Sequence, residues 1–419
     1  MAIKRFMATA DTTITNALLD DLSTRATGAN MGLADSLEVY SIYGQASSSY
    51  GSGYSSELSR VLVKFPVLTT EDDTNSIQAK RTAGTIPASG SVSFFFRLYN
   101  VAHHETLPTN AKYNIFAVSS SWEEGRGLDL DTYTDKTLDG VGANWTNANG
   151  SHAAATATAT ITVFANMDAG ETLTLISTDG TTVVATASTS TTTTNDTNTP
   201  TFRILTNAAT TAANLKTCIN ANSKFIASHT PGETTVTITQ VTAGRAGNTV
   251  AVVGDTVSTV GMTVTSPFSG GDGYWATVGG DYHTGSVADD LNSIIMYSQT
   301  LSAGYEDIEV DVTHLVERWI RADAGYSNYG LGVFLTSSQE AYFSSSTGTN
   351  LLPVSGGVLH NLEGATTSYY TKKFSARGSE YFFKRPTIEA RWNSSIQDDR
   401  GSFYYSSSLA NPAENLNTI

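Results

Sequence analysis

The sequence predicts a mainly β chain, a β-sandwich interrupted by a small α+β unit. Three observations carry this. Only 15% of the residues are charged, against roughly a quarter in ordinary soluble domains, and Ser, Thr, Asn and Gly fill the gap, which favours short strands and polar turns over long charged helices. Short runs of alternating or β-branched residues recur towards both ends of the chain. The composition also shifts near residue 152, turns Thr- and Ala-rich, and shifts back near residue 272.

The first part is read as strands and turns. Residues 37–43 (LEVYSIY) alternate as a half-buried strand does. Residues 44–56 (GQASSSYGSGYSS) form a Ser/Gly/Tyr loop. Residues 60–65 (RVLVKF) make a strand stopped by Pro66, since proline cannot donate to a ladder. Residues 91–99 (SVSFFFRLY) and 113–118 (YNIFAV) are strands by their aromatic and β-branched content. In the middle, 153–160 (AAATATAT) is a linker or an entry strand. Residues 172–176 and 182–185 flank Asp179-Gly180, a strong hairpin signal. Residues 188–199, nearly all Thr, Ser and Asn, read as a loop. Residues 211–221 give the clearest helix, with Ala212, Leu215, Cys218 and Ile219 on one face. Strands at 235–239 and 249–253 complete the unit.

The earlier style then resumes. Residues 307–312 (DIEVDV) form a strand with acidic outward positions, and 313–320 form one or two helical turns that bury Leu315, Val316 and Trp319. Strands are expected at 329–335, 381–383 (YFF) and 386–392. Trp145 and Trp275 bracket the middle unit, so an insertion explains the order better than three domains in a row. The expected division is 1–151 and 272–393 for the sandwich, 152–271 for the insert, and 394–419 for a polar and aromatic tail.

The net charge is −15. An acidic chain without a basic stripe repels phosphate backbones, which argues against nucleic acid as a partner. No apolar run is long enough to span a bilayer, no export signal is visible, and the single Cys218 cannot form an intrachain disulfide. A virion protein, folded and assembled in a host cytoplasm and released by lysis, fits this combination.

The order of signals in the outer pieces strengthens that expectation. Residues 60–65, 121–125 (SWEEG), 311–316 (DVTHLV) with Trp319, 328–331 (NYGL) and 384–389 (KRPTIE) together resemble the disaggregatase-related β-sandwich modules, which also occur as carbohydrate-binding modules. The stretch 384–409, with DDRGSFYYSSSL at 398–409, looks like a form of this module found in tailed-phage structural proteins. Residues 170–175, 212–215 and 243–248 are similar to add-on domains inserted into such proteins. The resemblance implies a jelly roll and a non-enzymatic structural role in the particle, with contacts to further copies and other virion proteins. A host-surface glycan-binding or receptor-binding role is the alternative that it implies.

Candidate sites follow from side-chain chemistry. In the tail, Phe403, Tyr404, Tyr405, Leu409 and Leu416 offer apolar area that a neighbouring subunit would cover. The loop tyrosines Tyr43, Tyr50, Tyr54, Tyr369 and Tyr370 suit a protein interface or stacking on sugars. Glu123, Glu124, Asp129 and Asp131 cluster in a Gly-containing loop where a hard cation such as calcium could bind, although no EF-hand spacing is present. Asp135 lies in the same stretch. His103-His104-Glu105 offers adjacent imidazoles that point to opposite faces of an extended chain. No nucleophile elbow, phosphate loop, zinc spacing or HExxH occurs, so no enzymatic activity and no cofactor are expected.

Overall fold

The structure is a computed structural model that describes residues 2–46, 55–104, 106–128, 142–149, 155–165, 167–254, 260–284, 296–323, 325–344 and 357–394. Strands hold 38% of the described residues and helices 10%, so the protein is mainly β.

The first part contains β1 (Ala2–Met7), β2 (Ala10–Thr15), β3 (Ser36–Tyr43), β4 (Ser56–Lys64), α1 (Ile77–Thr82), β5 (Ser93–Leu98) and β6 (Ala111–Ala117). The middle part contains β7 (Thr158–Val163), β8 (Thr172–Ile176), β9 (Thr182–Ser188), β10 (Thr201–Arg203), α2 (Ala208–Asn220), β11 (Phe225–Ser228), β12 (Thr235–Gln240), β13 (Ala251–Gly254) and β14 (Met262–Ser269). The last part contains β15 (Met296–Leu301), β16 (Ile308–Asp311), α3 (Thr313–Arg321), β17 (Leu331–Leu335), β18 (Tyr369–Ser375) and β19 (Thr387–Trp392).

The first and last parts interleave in two sheets. The smaller has the order β1-β19-β5-β16, and the larger runs β15-β6-β17-β4-β3-β18. Along one flank β4 pairs with β3 over its first residues and with β2 over the rest, Ala10 opposite Lys64 and Thr15 opposite Ser59. The two sheets face each other across one apolar core. Phe6, Phe94, Phe96, Leu98, Ile308, Ile388 and Ala390 come from the small sheet. They meet Leu37, Val39, Val61, Val63, Tyr113, Ile115, Leu331, Val333 and Phe374 from the large one. Alternation along each strand produces this, because successive side chains point to opposite faces. On the outer face of the small sheet the acidic positions expected at 307–312 meet arginines: Arg391 Nη1 lies 2.7 Å from Glu309, and Arg97 Nε 3.1 Å from Glu309.

The middle part folds around a separate core that includes Ile161, Leu173, Leu175, Val183, Phe202, Phe225, Ile238 and Met262. Two four-stranded sheets, β10-β9-β8-β13 and β11-β12-β7-β14, supply it together with α2. The expected helix face is the buried one: Ala212, Leu215, Cys218 and Ile219. The Asn207 side chain caps its start by accepting from the Thr210 N–H at 3.1 Å. The expected hairpin is β8–β9, turned through Gly180 at φ 81°.

The two ends of the middle part are held side by side. Asn147 bridges Tyr274 and Ala155 bridges Asp272, which places each pair about 5 Å apart at Cα. Trp145 and Trp275 are both fully buried in a second apolar cluster on the outer face of the large sheet. Trp275 Nε1 donates to the Asn144 carbonyl at 2.8 Å, and Trp145 Nε1 to the Gly357 carbonyl at 2.5 Å. Replacing residues 153–271 by a short Gly/Ser bridge should therefore leave a soluble β-rich protein whose tryptophan emission stays that of buried indoles. Repeated aggregation of that deletion, or emission typical of solvated indole, would show that the middle part supports the sandwich core.

Two expected elements need correction. Residues 381–383 are not a strand: Phe382–Lys384 form a 3-10 turn. The segment leads into Pro386 and has no ladder partner among the described residues. Tyr369 and Tyr370 are not in a loop but open β18, which pairs with β3. Residues 158–160 of the low-complexity run belong to β7.

Candidate functional site

Two features stand out: an exposed apolar surface at one end of the sandwich, and a cleft on the outer face of the large sheet.

The apolar surface forms where three segments meet. Tyr381, Phe382 and Phe383 are 61%, 51% and 72% exposed, and Leu33 and Leu128 are 48% and 52% exposed. The Leu33 N–H donates to the Gly127 carbonyl at 2.9 Å. A Cβ on Gly378 would sit 3.2 Å from the Ala34 carbonyl oxygen, so the 376–383 turn lies against the same segment. Two cations border the rings. Lys384 Nζ is 5.5 Å from the Tyr381 ring and the Arg385 guanidinium 5.4 Å from the Phe382 ring. The surface is thus aromatic with a basic margin, on a chain of net charge −15.

A polar clamp fixes this end from below. Arg377 Nε and Nη2 donate to the two Glu124 carboxylate oxygens at 2.9 and 2.6 Å. The Arg377 N–H donates to Asp11 Oδ2 at 2.5 Å, and the Asp11 N–H to Glu124 Oε1 at 2.9 Å. Asn30 joins the Glu124 segment to the rest by donating to the Glu124 and Ala143 carbonyls. Gly125 and Gly142 carry φ of 82° and 104°. A Cβ on either would fall within 2.5 Å of the Asn30 side chain, so only glycine fits there.

Asp11 is buried, and burial pushes its carboxyl up to about 7 despite the opposing Arg377 N–H. Because the folded value is raised, the stability linked to this group is complete below its ordinary value near 3.8 and is lost as pH rises through 7. The Asp11→Asn variant should therefore show a flatter stability profile. Between pH 5 and pH 8 the wild type should lose about 2–3 kcal/mol more than the variant, read from denaturant melts across that range. Parallel profiles for the two proteins would contradict the assignment.

The cleft has a volume of about 800 Å³ and lies on β4, β6, β15 and β17 beside the 276–284 and 359–361 segments. At its base Arg60 makes a two-pronged ion pair with Glu340, Nε–Oε1 3.0 Å and Nη2–Oε2 2.9 Å, and Arg60 Nη1 reaches the Gly279 carbonyl at 3.1 Å. The guanidinium also lies 4.6 Å from the Phe334 ring centroid, 5.7 Å from Tyr282 and 5.6 Å from Trp145. Burial pushes the Glu340 carboxyl up while Arg60 pulls it down. The walls pair Phe116, Tyr282 and Phe334 with Asn114, Ser119, Thr277 and Asn361. The other cleft carboxylate, Asp281, accepts from the Ala276 and Thr277 N–H groups and the Ser120 hydroxyl. Both carboxylates therefore serve internal partners.

The remaining expected sites distribute as follows. Phe403, Tyr404, Tyr405, Leu409 and Leu416 lie outside the described residues, as do Tyr50, Tyr54, Asp129, Asp131 and Asp135. Tyr43 and Tyr369 come to the same end of the β3–β18 pair, but both are half-buried. Tyr43 packs on the tryptophan cluster and Tyr369 on the main core, so among the described residues of this set only Tyr370, 52% exposed, presents a ring there. Glu124 serves the Arg377 clamp, and the Glu123 backbone bonds Ala143 and Ala148. Among the described residues no group of three or more His, Cys, Asp or Glu side chains could hold a metal ion. His103 is half-buried and His104 exposed. Cys218 is buried, and burial pushes its thiol up to about 12. Among the described residues no helix is long and apolar enough to cross a membrane. No family model, curated protein or solved structure matches the chain.

Proposed function

We propose that the chain is a non-enzymatic building block or decoration of a virus particle of the tailed-phage kind, a jelly-roll-type sandwich that packs against copies of itself and other particle proteins. The observation that carries this reading is the exposed end formed by Leu33, Leu128, Tyr381, Phe382 and Phe383. Exposed apolar side chains edged with charge are what interfaces bury and what a lone soluble chain avoids. The cations Lys384 and Arg385 favour an acidic partner surface, which another copy of this −15 chain supplies. The order of motifs in the outer parts, and the aromatic tail that contains Phe403, Tyr404 and Tyr405, support the same role. Size-exclusion chromatography with light scattering on the purified chain tests it. Concentration-dependent assembly is expected, and a monomer at every concentration, with no affinity for particles, would count against it.

The cleft favours a second reading, binding of host-surface polysaccharide. Aromatic rings set among amide and hydroxyl groups can stack on a sugar face and bond its hydroxyls. Glycan-array binding lost on Phe116→Ala, whose ring lines the cleft and is only half-buried, would support it, and no binding at millimolar glycan would retire it.

A further inference from the structure

Near the end of β5 the sandwich core closes over a polar cluster. Lys372 on β18 is fully buried. Its Nζ lies 2.5 Å from Asn100 Oδ1, 2.8 Å from the Gly304 carbonyl oxygen and 2.9 Å from the Glu306 carbonyl oxygen. All three neighbours are uncharged oxygens, and no carboxylate lies within ion-pairing distance of Nζ among the described residues. The Phe374 ring centroid is 5.1 Å away. An ammonium without a counter-ion is costly in such a place. Accordingly, burial pulls the amine down to about 8, which leaves a usable fraction neutral and nucleophilic.

Asn100 is fixed opposite this amine. It forms an antiparallel bridge with Phe374, and its N–H donates to Asp307 Oδ1 at 2.8 Å. It is only half-buried, so a small leaving group has a way out. Two further polar atoms of this region, the Tyr113 hydroxyl and Glu306 Oε2, are buried without a hydrogen-bond partner among the described residues. Tyr113 stacks edge-on to Phe374 at 6.5 Å. A buried amine, a carboxamide in contact with it and an aromatic wall make up the components of an amide-forming site.

We propose that Lys372 and Asn100 become joined by an intramolecular amide bond. The neutral Lys372 Nζ adds to Asn100 Cγ, and the Cγ–Nδ2 bond breaks. One Nζ proton passes to Nδ2, which departs as ammonia. Nothing is oxidised or reduced, and no co-reactant is needed. The product replaces a buried charge by a neutral amide. It also ties β18 of the large sheet to the segment that follows β5 of the small sheet, so the two sheets become covalently linked at this end. The inference does not depend on the assembly reading.

Intact-mass measurement on the full chain tests it. The wild type should be about 17 Da lighter than its sequence requires, the mass of the lost ammonia. Digestion should yield a branched peptide that joins residues 98–112 to the Lys372 segment. Lys372→Arg and Asn100→Ser should each restore the sequence mass. The reading is made on denatured chain, so these variants need not fold. A wild type at its full sequence mass overturns the proposal. So does a loss of ammonia that persists in Lys372→Arg, because the bond would then lie elsewhere.

Discussion

Glu340→Ala should destabilise the sandwich by about 3–5 kcal/mol, because it strands the Arg60 guanidinium in a buried site. Arg60 is 7% exposed and Glu340 6% exposed, and no other carboxylate pairs with Arg60 among the described residues. The rings of Phe334, Tyr282 and Trp145 around the guanidinium would remain, but they offset only part of the lost charge partner. Replacing both partners, Arg60→Met with Glu340→Met, should cost far less than Glu340→Ala alone, since it removes the desolvation penalty together with the attraction. Chemical denaturation of the three proteins checks this. Equal losses for the single and double variants would mean that packing at the cleft base, rather than charge pairing, holds that site.

The second large effect concerns association. Phe382→Ser combined with Phe383→Ser should weaken assembly roughly 100-fold or more, the loss expected from deleting two aromatic anchors at the centre of an interface. The folded state should change little, by about 0.5 kcal/mol per site, because both rings are at least half exposed. Light scattering reads the first quantity and thermal melting the second. A variant that melts like the wild type and still assembles would remove these two rings from the interface. A variant that melts much lower would show that the turn belongs to the core.

The apolar sandwich strands were legible in the sequence: β3, β5, β6, β17 and β19 overlap the runs that alternation or aromatic and β-branched content marked, and β4 starts four residues before its expected run. What periodicity could not reach was buried polarity. β2 reads Ala-Asp-Thr-Thr-Ile-Thr, yet Asp11, Thr12, Thr13 and Thr15 are all buried beside Ile14. A strand lined by polar residues on both faces leaves no alternating signal. β18 was hidden in the same way: Lys372 and Lys373 look like surface residues, but Lys372 is fully buried against three oxygens. The Phe-rich turn misled in the opposite direction. Aromatic content at 381–383 signals a strand, but the segment finds no ladder partner among the described residues and leaves its rings in water.

The cleft was beyond the sequence for a different reason. Arg60 sat in a recognisable strand, but its partner Glu340 lies 280 residues away, and no local pattern marks such a pair. Trp145 and Trp275 gave the one usable long-range signal. Two tryptophans on either side of a composition change suggested adjacent ends, and the structure buries both in one cluster.

The most direct test of the central claim is the density of an assembled particle at side-chain resolution. The assembly reading requires Tyr381, Phe382 and Phe383 to lie buried against a neighbouring chain, with Lys384 and Arg385 facing carboxylates at the margin of that contact. A particle in which this turn faces solvent in every copy, or one that contains no copy of the chain, would contradict it.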